Sequence, residues 1–372
     1  MLALPVAVLF PAIWGMSPSR LTAVLVSAGY FLAASRGLPQ GVANFYAADL
    51  WPGLLLWAAA SLSFAGVHAV LWKGRPEGKS PGEGLTGMAI AARYLAAVVL
   101  IGLPPFGITG WAHPLTATGV LFPGWGWWGL VAMTAGLAMM TSRYWPAVAI
   151  VLGGFWLWSA ATWTSPNLPE GWKGVDLEQG EKLGRDGSLD YHRDLIATVR
   201  AAASAKTRFI VFPESALGFW TPTLARLWQE GLRGSEVTVI AGAVVIDPGG
   251  YDNVMVGISA GEARILYRQR IPVPVSMWQP WRAWTGQGGG ARANLFGNPV
   301  VQTDSQKVAA LICYEQLLLW PVLQSVLHSP TAIVAPGNGW WTSGTSIVAI
   351  QNASVIAWAK LFGLPVVTAF NR

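Results

Sequence analysis

Charged residues are distributed unevenly along the chain, and this limits the folds that it can adopt. Residues 1–163 contain 7 Lys and Arg and 3 Asp and Glu, whereas residues 164–372 contain 17 and 15. Globular domains carry charge at about a quarter of their positions, so the first part is far too apolar for an ordinary one. The sequence predicts a membrane-spanning helical bundle at 1–163, a linker at 164–190 and a globular domain at 191–372.

The apolar region contains runs that approach the length of a membrane span. A hydrocarbon core needs about 20 apolar residues in a helix, and we predict four spans of this kind: Leu50–Trp72, Tyr94–Trp111, Gly119–Met140 and Trp145–Trp163. Leu2–Met16 and Leu21–Ala34 are shorter. We interpret them as two further spans, which gives about six helices, with a re-entrant hairpin or a signal sequence as alternatives.

Basic residues between the runs predict how the chain is oriented. Lys73, Arg75 and Lys79 lie in one loop and Arg93 follows it, which by the positive-inside rule places this loop in the cytoplasm. Alternation then brings the chain out on the other side after Trp163. We expect a multi-pass protein of the bacterial inner membrane whose C-terminal domain lies in the periplasm.

Several classes of function are disfavoured by composition. The net charge of +6 is spread too thinly for nucleic-acid binding, which needs Lys and Arg on one face. One cysteine excludes an intrachain disulfide framework, and four histidines without ligand spacing predict no metal site and no cofactor. The four long runs contain no Asp or Glu, which weakens a third hypothesis, a proton-coupled transporter.

The globular region alternates short apolar runs with helical patterns, which predicts an α/β layered domain. The predicted strands are Arg208–Phe212, Val237–Ile246, Val254–Ser259, Arg264–Tyr267, Val308–Cys313, Ala332–Ala335 and Pro365–Phe370. The predicted helices are Tyr191–Ala203, Leu224–Leu232, Gln316–Leu327 and Thr345–Leu361. The last helix is apolar enough to resemble a seventh span, but Gln351, Asn352 and Lys360 favour a buried helix followed by a strand.

Polar residues at the ends of two predicted strands are candidates for chemistry. Glu214 follows Phe209–Pro213, and Cys313 and Glu315 follow Ala309–Ile312. A carboxylate beside a thiol can remove the thiol proton and return it to a leaving group. Taken singly, a cysteine in an apolar strand is more often a small buried hydrophobe, and a Pro-Glu pair is more often a turn.

These segments together resemble the carbon–nitrogen hydrolase (nitrilase) superfamily, and most closely the apolipoprotein N-acyltransferases. Phe212–Ala216 resembles the general-base segment, Leu311–Glu315 the nucleophile segment, and Gly337–Trp341 an Asn-Asp-x-Trp-like loop. Gly286–Gly290 resembles the glycine-rich approach to the nucleophile strand. The resemblance implies a transmembrane bundle followed by an α-β-β-α sandwich.

The resemblance also implies roles for individual residues. Glu214 corresponds to the general base, Cys313 to the nucleophile and Glu315 to a supporting acid. The family lysine that stabilises the oxyanion is absent from Leu266–Pro274. Arg268 is its nearest substitute by position, or Gln269 if Pro274 sets the register. Met277 stands where the acyltransferases have a glutamate.

The family pattern continues beyond the final strand with more of the sandwich and a closing helix. We therefore expect either that the chain is a shortened variant or that the domain at 191–372 is incomplete at its C-terminus. These departures favour a divergent branch that resembles the TraB proteins of conjugal-transfer operons. Such an enzyme is expected to move an acyl group from a membrane phospholipid through a thioester on Cys313 to an amine. The alternative is a catalytically inactive membrane component that binds a periplasmic partner of the conjugation apparatus through the tryptophans of Trp278–Trp284.

Overall fold

The computed structural model describes residues 3–74, 84–109, 112–185, 187–303 and 306–372. The chain divides into two compact units. The first contains Met1–Pro166, Leu317–Trp320 and Gly344–Leu364, and the second contains Asn167–Gln316, Pro321–Ser343 and Pro365–Arg372. The first unit therefore ends close to the predicted boundary at 163, but it also includes two segments from the later part of the chain.

The first unit is helical throughout its described residues. Its first nine α-helices are α1 Ala3–Val6, α2 Phe10–Gly15, α3 Arg20–Ala34, α4 Leu38–Tyr46, α5 Leu50–Leu71, α6 Gly84–Gly102, α7 Thr118–Leu121, α8 Gly126–Met140 and α9 Trp145–Thr162. Short 3₁₀ turns at Ala7–Leu9, Phe106–Ile108 and Pro114–Ala117 connect some of them. Aromatic and aliphatic side chains from α2, α3, α5, α6 and α8 form its core.

Two of the described helices, α5 and α9, are long and apolar enough to cross a membrane, and the bent pair α3 and α4 could add a third. The predicted run Gly119–Met140 is divided into α7 and α8 at Pro123, because proline cannot donate the helix hydrogen bond. The helix of the run Tyr94–Trp111 ends at Gly102, ahead of Pro104 and Pro105. Trp111, Arg75 and Lys79 lie outside the described residues.

The second unit contains two β-sheets. The first has the order β1 Trp172–Gly174, β2 Phe209–Val211, β3 Thr238–Asp247, β4 Gly250–Ile258 and β5 Ala263–Arg268. The strands β1, β2 and β3 are parallel, and β3, β4 and β5 are antiparallel neighbours. The second has the order β6 Val301–Gln302, β7 Lys307–Ala310, β8 Ala332–Asn338 and β9 Val366–Asn371, in which β7, β8 and β9 are parallel.

Apolar side chains of the two sheets pack face to face and form one core. Phe209, Val211 and Ile240 of the first sheet meet Val308 and Val334 of the second. The outer face of the first sheet is covered by the helices α10 Leu189–Ala202 and α11 Pro222–Gly231. The unit also contains α12 Trp281–Trp284, and α13 Leu319–Val326 lies across the boundary between the units.

The seven predicted strands and four predicted helices of the globular region are confirmed, with ends shifted by a few residues. One shift bears on the site: Cys313 begins the 3₁₀ turn Cys313–Leu317 instead of ending β7. The sequence interpretation missed β1, which lies inside the stretch predicted as a linker, and the two-residue strand β6. Both are too short to show the alternation that marks a strand.

The predicted helix near the C-terminus is observed as α14 Ile347–Phe362, and it belongs to the first unit. The approach of α7 to α14 is so close that a Cβ at Gly119 would lie 1.6 Å from the carbonyl oxygen of Ala357. Lys360 places its ammonium 5.9 Å from the ring centre of Trp163. As predicted, a strand, β9, follows this helix.

Candidate active site

Glu214 lies just beyond the end of β2. The ladder continues past Val211, because the Phe212 N–H donates to the Ile240 carbonyl at 2.8 Å. Pro213 has no N–H to donate, although its carbonyl still accepts from the Gly242 N–H at 3.1 Å. The chain then turns at Ser215, whose φ is +63°. The Glu214 side chain is delivered at this turn and is buried.

The Glu214 carboxylate accepts hydrogen bonds from the Asn253 side chain, the Cys313 thiol and the Asn338 backbone N–H. The bond from Asn253 Nδ2 to Oε1 is 2.6 Å long. Burial raises the pKa of Glu214 from 4.5 to about 6, although the hydrogen bonds from Cys313 and Asn253 oppose this rise. A carboxylate whose pKa lies close to the working pH suits a general base.

Cys313 lies at the corresponding end of β7 in the second sheet. The pairing extends to Leu311, whose N–H donates to the Val334 carbonyl at 3.0 Å. At Cys313 the backbone turns sharply, with φ at +46°, a conformation that L residues adopt at a cost. Such a turn persists only when the surrounding structure holds it. It presents the thiol to Glu214, as the sequence predicted for this pair.

Glu315 provides part of that support. Its carboxylate accepts the backbone N–H of Ile312 at 2.9 Å and that of Arg270 at 2.7 Å. The Tyr267 hydroxyl lies 2.8 and 2.9 Å from the two carboxylate oxygens and donates its single proton to one of them at a time. Glu315 is fully buried, and its bonds fix the residue before Cys313. The geometry gives it a positioning role.

Arg270 is a buried cation that the sequence interpretation did not single out. Its Nε donates to the Tyr267 hydroxyl at 2.9 Å, and its terminal nitrogens donate to Ser325 and Gln324 of α13 at 2.9 and 3.2 Å. Its Nε lies 3.8 Å from Oε1 of Glu315. Burial raises the pKa of Glu315 and the Arg270 guanidinium opposes that rise. Tyr267, Arg270 and Glu315 therefore form one network beneath the nucleophile turn.

Asn253 and Gln269 form an amide bridge beside Glu214. Asn253 Nδ2 also donates to Gln269 Oε1 at 3.0 Å, and Gln269 Nε2 donates to the Ile312 carbonyl at 3.1 Å. Asn253 Oδ1 has no hydrogen-bond partner among the described residues. Sequence reasoning missed Asn253, although a polar residue within a buried strand is itself a signal, since buried polar groups are kept for their hydrogen bonds.

Arg268 is not part of this cluster. Successive side chains of a strand point to opposite faces, and the Arg268 guanidinium lies against Asp252 with 38% of its side chain exposed. Asp252 also pairs with Arg292 at 2.8 Å. The structure therefore corrects the placement of Arg268 in the site. Gln269, the other reading of the same segment, occupies the position beside Glu214.

The loop Gly337–Trp341 reaches the same cluster through its backbone. Asn338 ends β8, and its N–H donates to Glu214. Its side-chain oxygen accepts from Asn371 Nδ2 at 2.8 Å, and its carbonyl accepts from Trp341 Nε1 at 3.1 Å. The loop thus helps to hold the Glu214 carboxylate in place. Across the part of the chain that the structure describes, no three His, Cys, Asp or Glu side chains converge as a metal site.

Comparisons with known proteins show which sequences this chain resembles. The model of the carbon–nitrogen hydrolase family matches residues 32–360. "Conjugal transfer protein TraB" of Agrobacterium fabrum (strain C58 / ATCC 33970) is 74% identical over 370 residues, which cover 100% of this chain and 88% of the relative. "Probable conjugal transfer protein TraB" of Sinorhizobium fredii (strain NBRC 101917 / NGR234) is 61% identical over 370 residues, with 100% and 93% coverage.

Similar solved structures are more distant. A mutant of the Nesterenkonia AN1 amidase from the nitrilase superfamily has a TM-score of 0.38 and 13% identity, over 55% of this chain and 79% of that one. The carbon-nitrogen hydrolase from Helicobacter pylori G27 has a TM-score of 0.38 and 15% identity, over 54% and 72%.

Proposed function

The chain belongs to the carbon–nitrogen hydrolase family and to its TraB group of conjugal transfer proteins, and we propose that it is a membrane-embedded acyltransferase-like enzyme that acts in plasmid conjugal transfer. Cys313 is the nucleophile and Glu214 is the general base. The observation that carries this proposal is the hydrogen bond between the Cys313 thiol and the buried Glu214 carboxylate, whose pKa is raised to about 6.

The proposed acyl transfer proceeds in two steps, thioester formation and amide formation. In the first, the Cys313 proton passes to Glu214 while the sulfur attacks the carbonyl of an ester donor. The leaving alcohol takes that proton, and the acyl group remains as a thioester. In the second, an amine attacks the thioester and gives its proton to Glu214 as the amide forms, and Glu214 returns the proton to the departing sulfur.

A phospholipid is the proposed acyl donor because the chain has surface suited to lipid. α5 and α9 are long and apolar. Only 28% of an apolar 18-residue stretch of α5, and 17% of the corresponding stretch of α9, is buried. Exposed side chains such as Leu55, Val70, Ile150 and Leu157 would face water in a soluble protein. We propose that these helices cross the bacterial inner membrane and that the second unit lies in the periplasm.

Thioester trapping tests the chemistry. The purified chain is incubated with phospholipid, and its intact mass is measured before and after hydroxylamine, which cleaves thioesters. We expect an acyl adduct that hydroxylamine removes and that Cys313→Ala does not form. Ser27→Ala, at a buried residue of α3 whose hydroxyl bonds within its own helix, keeps Cys313 and serves as a control for a buried change. A folded wild-type chain that never acquires the adduct would refute the enzymatic proposal.

Membrane placement is tested separately. Since Cys313 is the sole cysteine, Cys313→Ala provides a background for single cysteines at the exposed positions Ser204 and Gly74. A membrane-impermeant maleimide should label Ser204→Cys in spheroplasts, whereas Gly74→Cys should react only after lysis. The opposite pattern would invert the proposed orientation. Release of the wild-type chain by alkaline carbonate would exclude integral membrane embedding.

A second function, binding of a periplasmic conjugation partner without catalysis, is favoured by two observations. An uncharged residue, Gln269, lies beside Glu214, and the side chains of Trp281 and Trp284 in α12 are 41% and 84% exposed. Exposed tryptophans frequently anchor interfaces. Under this alternative, Trp281→Ser and Trp284→Ser abolish conjugal transfer while Cys313→Ala preserves it; the enzymatic proposal requires that Cys313→Ala abolish it.

A further inference from the structure

The helical unit contains a notch at the junction of α2, α5 and α6. It opens to solvent, and its enclosed space is small, about 10 Å³. Two aromatic rings, one hydroxyl, two cations and two small or apolar residues line it: Trp14, Gly15, Ser17, Trp72, Lys73, Ile90 and Arg93. None of the described lining residues is acidic.

The two cations make the notch positive. Lys73 follows the end of α5, and Arg93 lies within α6. Neither is paired with a carboxylate among the described residues, unlike Arg268 and Arg292 of the second unit. Two cations at one small notch repel each other, so an anion between them would lower the electrostatic energy.

One of the lining residues, Trp14, carries a hydrogen-bond donor without a described acceptor. Trp14 is 1% exposed, and its indole N–H has no acceptor among the described residues. An indole N–H can only donate, so the missing partner must be an acceptor. His68 and Tyr94, whose rings lie 6.1 and 5.5 Å from that of Trp14, also carry polar atoms without a described partner. The interior beside the notch is therefore unusually short of hydrogen bonds.

We propose that this notch binds the phosphate of an anionic phospholipid. The negative charge of phosphate can pair with Lys73 and Arg93. Its oxygens can accept a hydrogen bond from the Trp14 N–H. A lipid is the preferred source because the notch lies at the end of α5, whose apolar surface is exposed, and Trp72 caps that end as interfacial tryptophans do. Basic pockets between membrane helices bind such headgroups. This inference rests on the proposed membrane placement, but not on catalysis.

Native mass spectrometry of the detergent-solubilised full chain tests the proposal. Phosphatidylglycerol, phosphatidylcholine or inorganic phosphate is added, and the bound fraction is measured against concentration. Lys73→Gln with Arg93→Gln should weaken phosphatidylglycerol binding about 25-fold, at about 1 kcal/mol for each cation. Trp14→Phe, which removes the N–H and keeps the packing, should weaken it about 5-fold. Lys73→Arg with Arg93→Lys, which keeps both charges, should retain binding.

Arg20→Gln with Arg143→Gln is the matched control, because both residues are exposed cations of the same unit. Equal loss in this control, or equal binding of phosphatidylcholine, would overturn the proposal. Competition by millimolar inorganic phosphate would show a free-anion site instead of a lipid site. The thermal unfolding midpoint of each variant identifies loss through misfolding. Cys313→Ala should bind phosphatidylglycerol normally, so failure of the enzymatic proposal is distinguishable from failure of this one.

Discussion

Asn253 Nδ2 lies 2.6 Å from Oε1 of Glu214, and this short bond attaches the proposed general base to strand β4 of the first sheet. The same nitrogen donates to Gln269, whose own amide donates to the carbonyl before Cys313. One chain of amides thus runs from the base to the turn that bears the nucleophile. Its members are neutral. Burial and hydrogen bonds are therefore the main influences on the pKa of Glu214, and the negative charge of Glu315 adds a smaller upward contribution.

The hydrogen bond from Asn253 lowers the pKa of Glu214, so its removal should raise that pKa further. In Asn253→Ala we expect the rate of Cys313 acylation to reach half its plateau at a pH higher by roughly half to one unit. The measurement is thioester formation between pH 4.5 and 8. Asn298→Ala, at an exposed site, is the control. An unchanged pH profile in Asn253→Ala would separate Asn253 from the base.

Gln269→Lys should move the same profile in the opposite direction. An ammonium beside Glu214 favours its ionised form and lowers its pKa, so acylation should begin at lower pH. The new cation would also lie where it can stabilise an oxyanion. Arg268→Gln is the contrasting change, since Arg268 lies against Asp252, and it should leave the profile in place. Loss of acylation in Arg268→Gln alone would contradict the assignment of Gln269.

The meeting of Glu214 and Cys313 was predictable because each follows a buried apolar strand, and the resemblance identified both segments. Their amide bridge was not. Asn253 and Gln269 are brought together because β4 pairs with β5 in a register that contains a bulge after Met255, and pairing register is not visible in a single sequence. The same limit explains why Arg268 and Gln269 could not be separated without the structure.

The packing of α14 was also beyond prediction. Its length and type follow from the sequence, but an apolar helix carries no signal that names the unit against which it packs. Gly119 and Gly129 admit its backbone and its Leu361 side chain into the helical unit. Glycine is frequent in membrane helices in any case, so these two glycines did not by themselves predict a contact with α14.

Position 242 must be glycine because the backbone at Glu214 passes too close for a side chain there. A Cβ at this residue would lie 2.4 Å from the Ser215 nitrogen and 2.5 Å from the Glu214 Cα, both backbone atoms that cannot rotate away. In Gly242→Ala the base must move, and we expect acylation to fall about 100-fold, since a shift of about 1 Å has such effects. Gly261→Ala is the matched control, because no atom lies within 4 Å of its Cβ. Equal acylation rates in the two variants would refute this reading.

Glu315 should matter for stability more than for proton transfer. In Glu315→Gln the new amide N–H₂ group is a donor that faces backbone N–H donors, so a hydrogen bond is lost. The buried Arg270 guanidinium also loses the carboxylate with which it pairs. Breaking one side of a buried ion pair costs about 3–5 kcal/mol. We expect a large fall in the thermal unfolding midpoint. Glu262→Gln, at an exposed pair with Arg264, should change the midpoint little. A stable Glu315→Gln variant with slow acylation would instead assign Glu315 a part in the chemistry.

The ionised form of Glu214 should lower the free energy of unfolding at pH values above its pKa. Burial raises that pKa from 4.5 to about 6, so folding favours the protonated form. Below pH 4.5 the carboxyl is protonated in both states and carries no penalty. As pH rises through about 6 the folded state must ionise a buried group, which costs about 2 kcal/mol at pH 8 for a pKa difference of about 1.5.

Glu214→Gln, which keeps an acceptor for Asn253, should therefore raise the unfolding midpoint at pH 8, and the gain should vanish near pH 4.5. Thermal unfolding of the detergent-solubilised chain at pH 4.5, 6 and 8 provides the measurement. Glu236→Gln, at an exposed carboxylate, should show no such trend. A gain that is equal at all three pH values would mean that the substituted amide improves packing and that ionisation of Glu214 carries no cost.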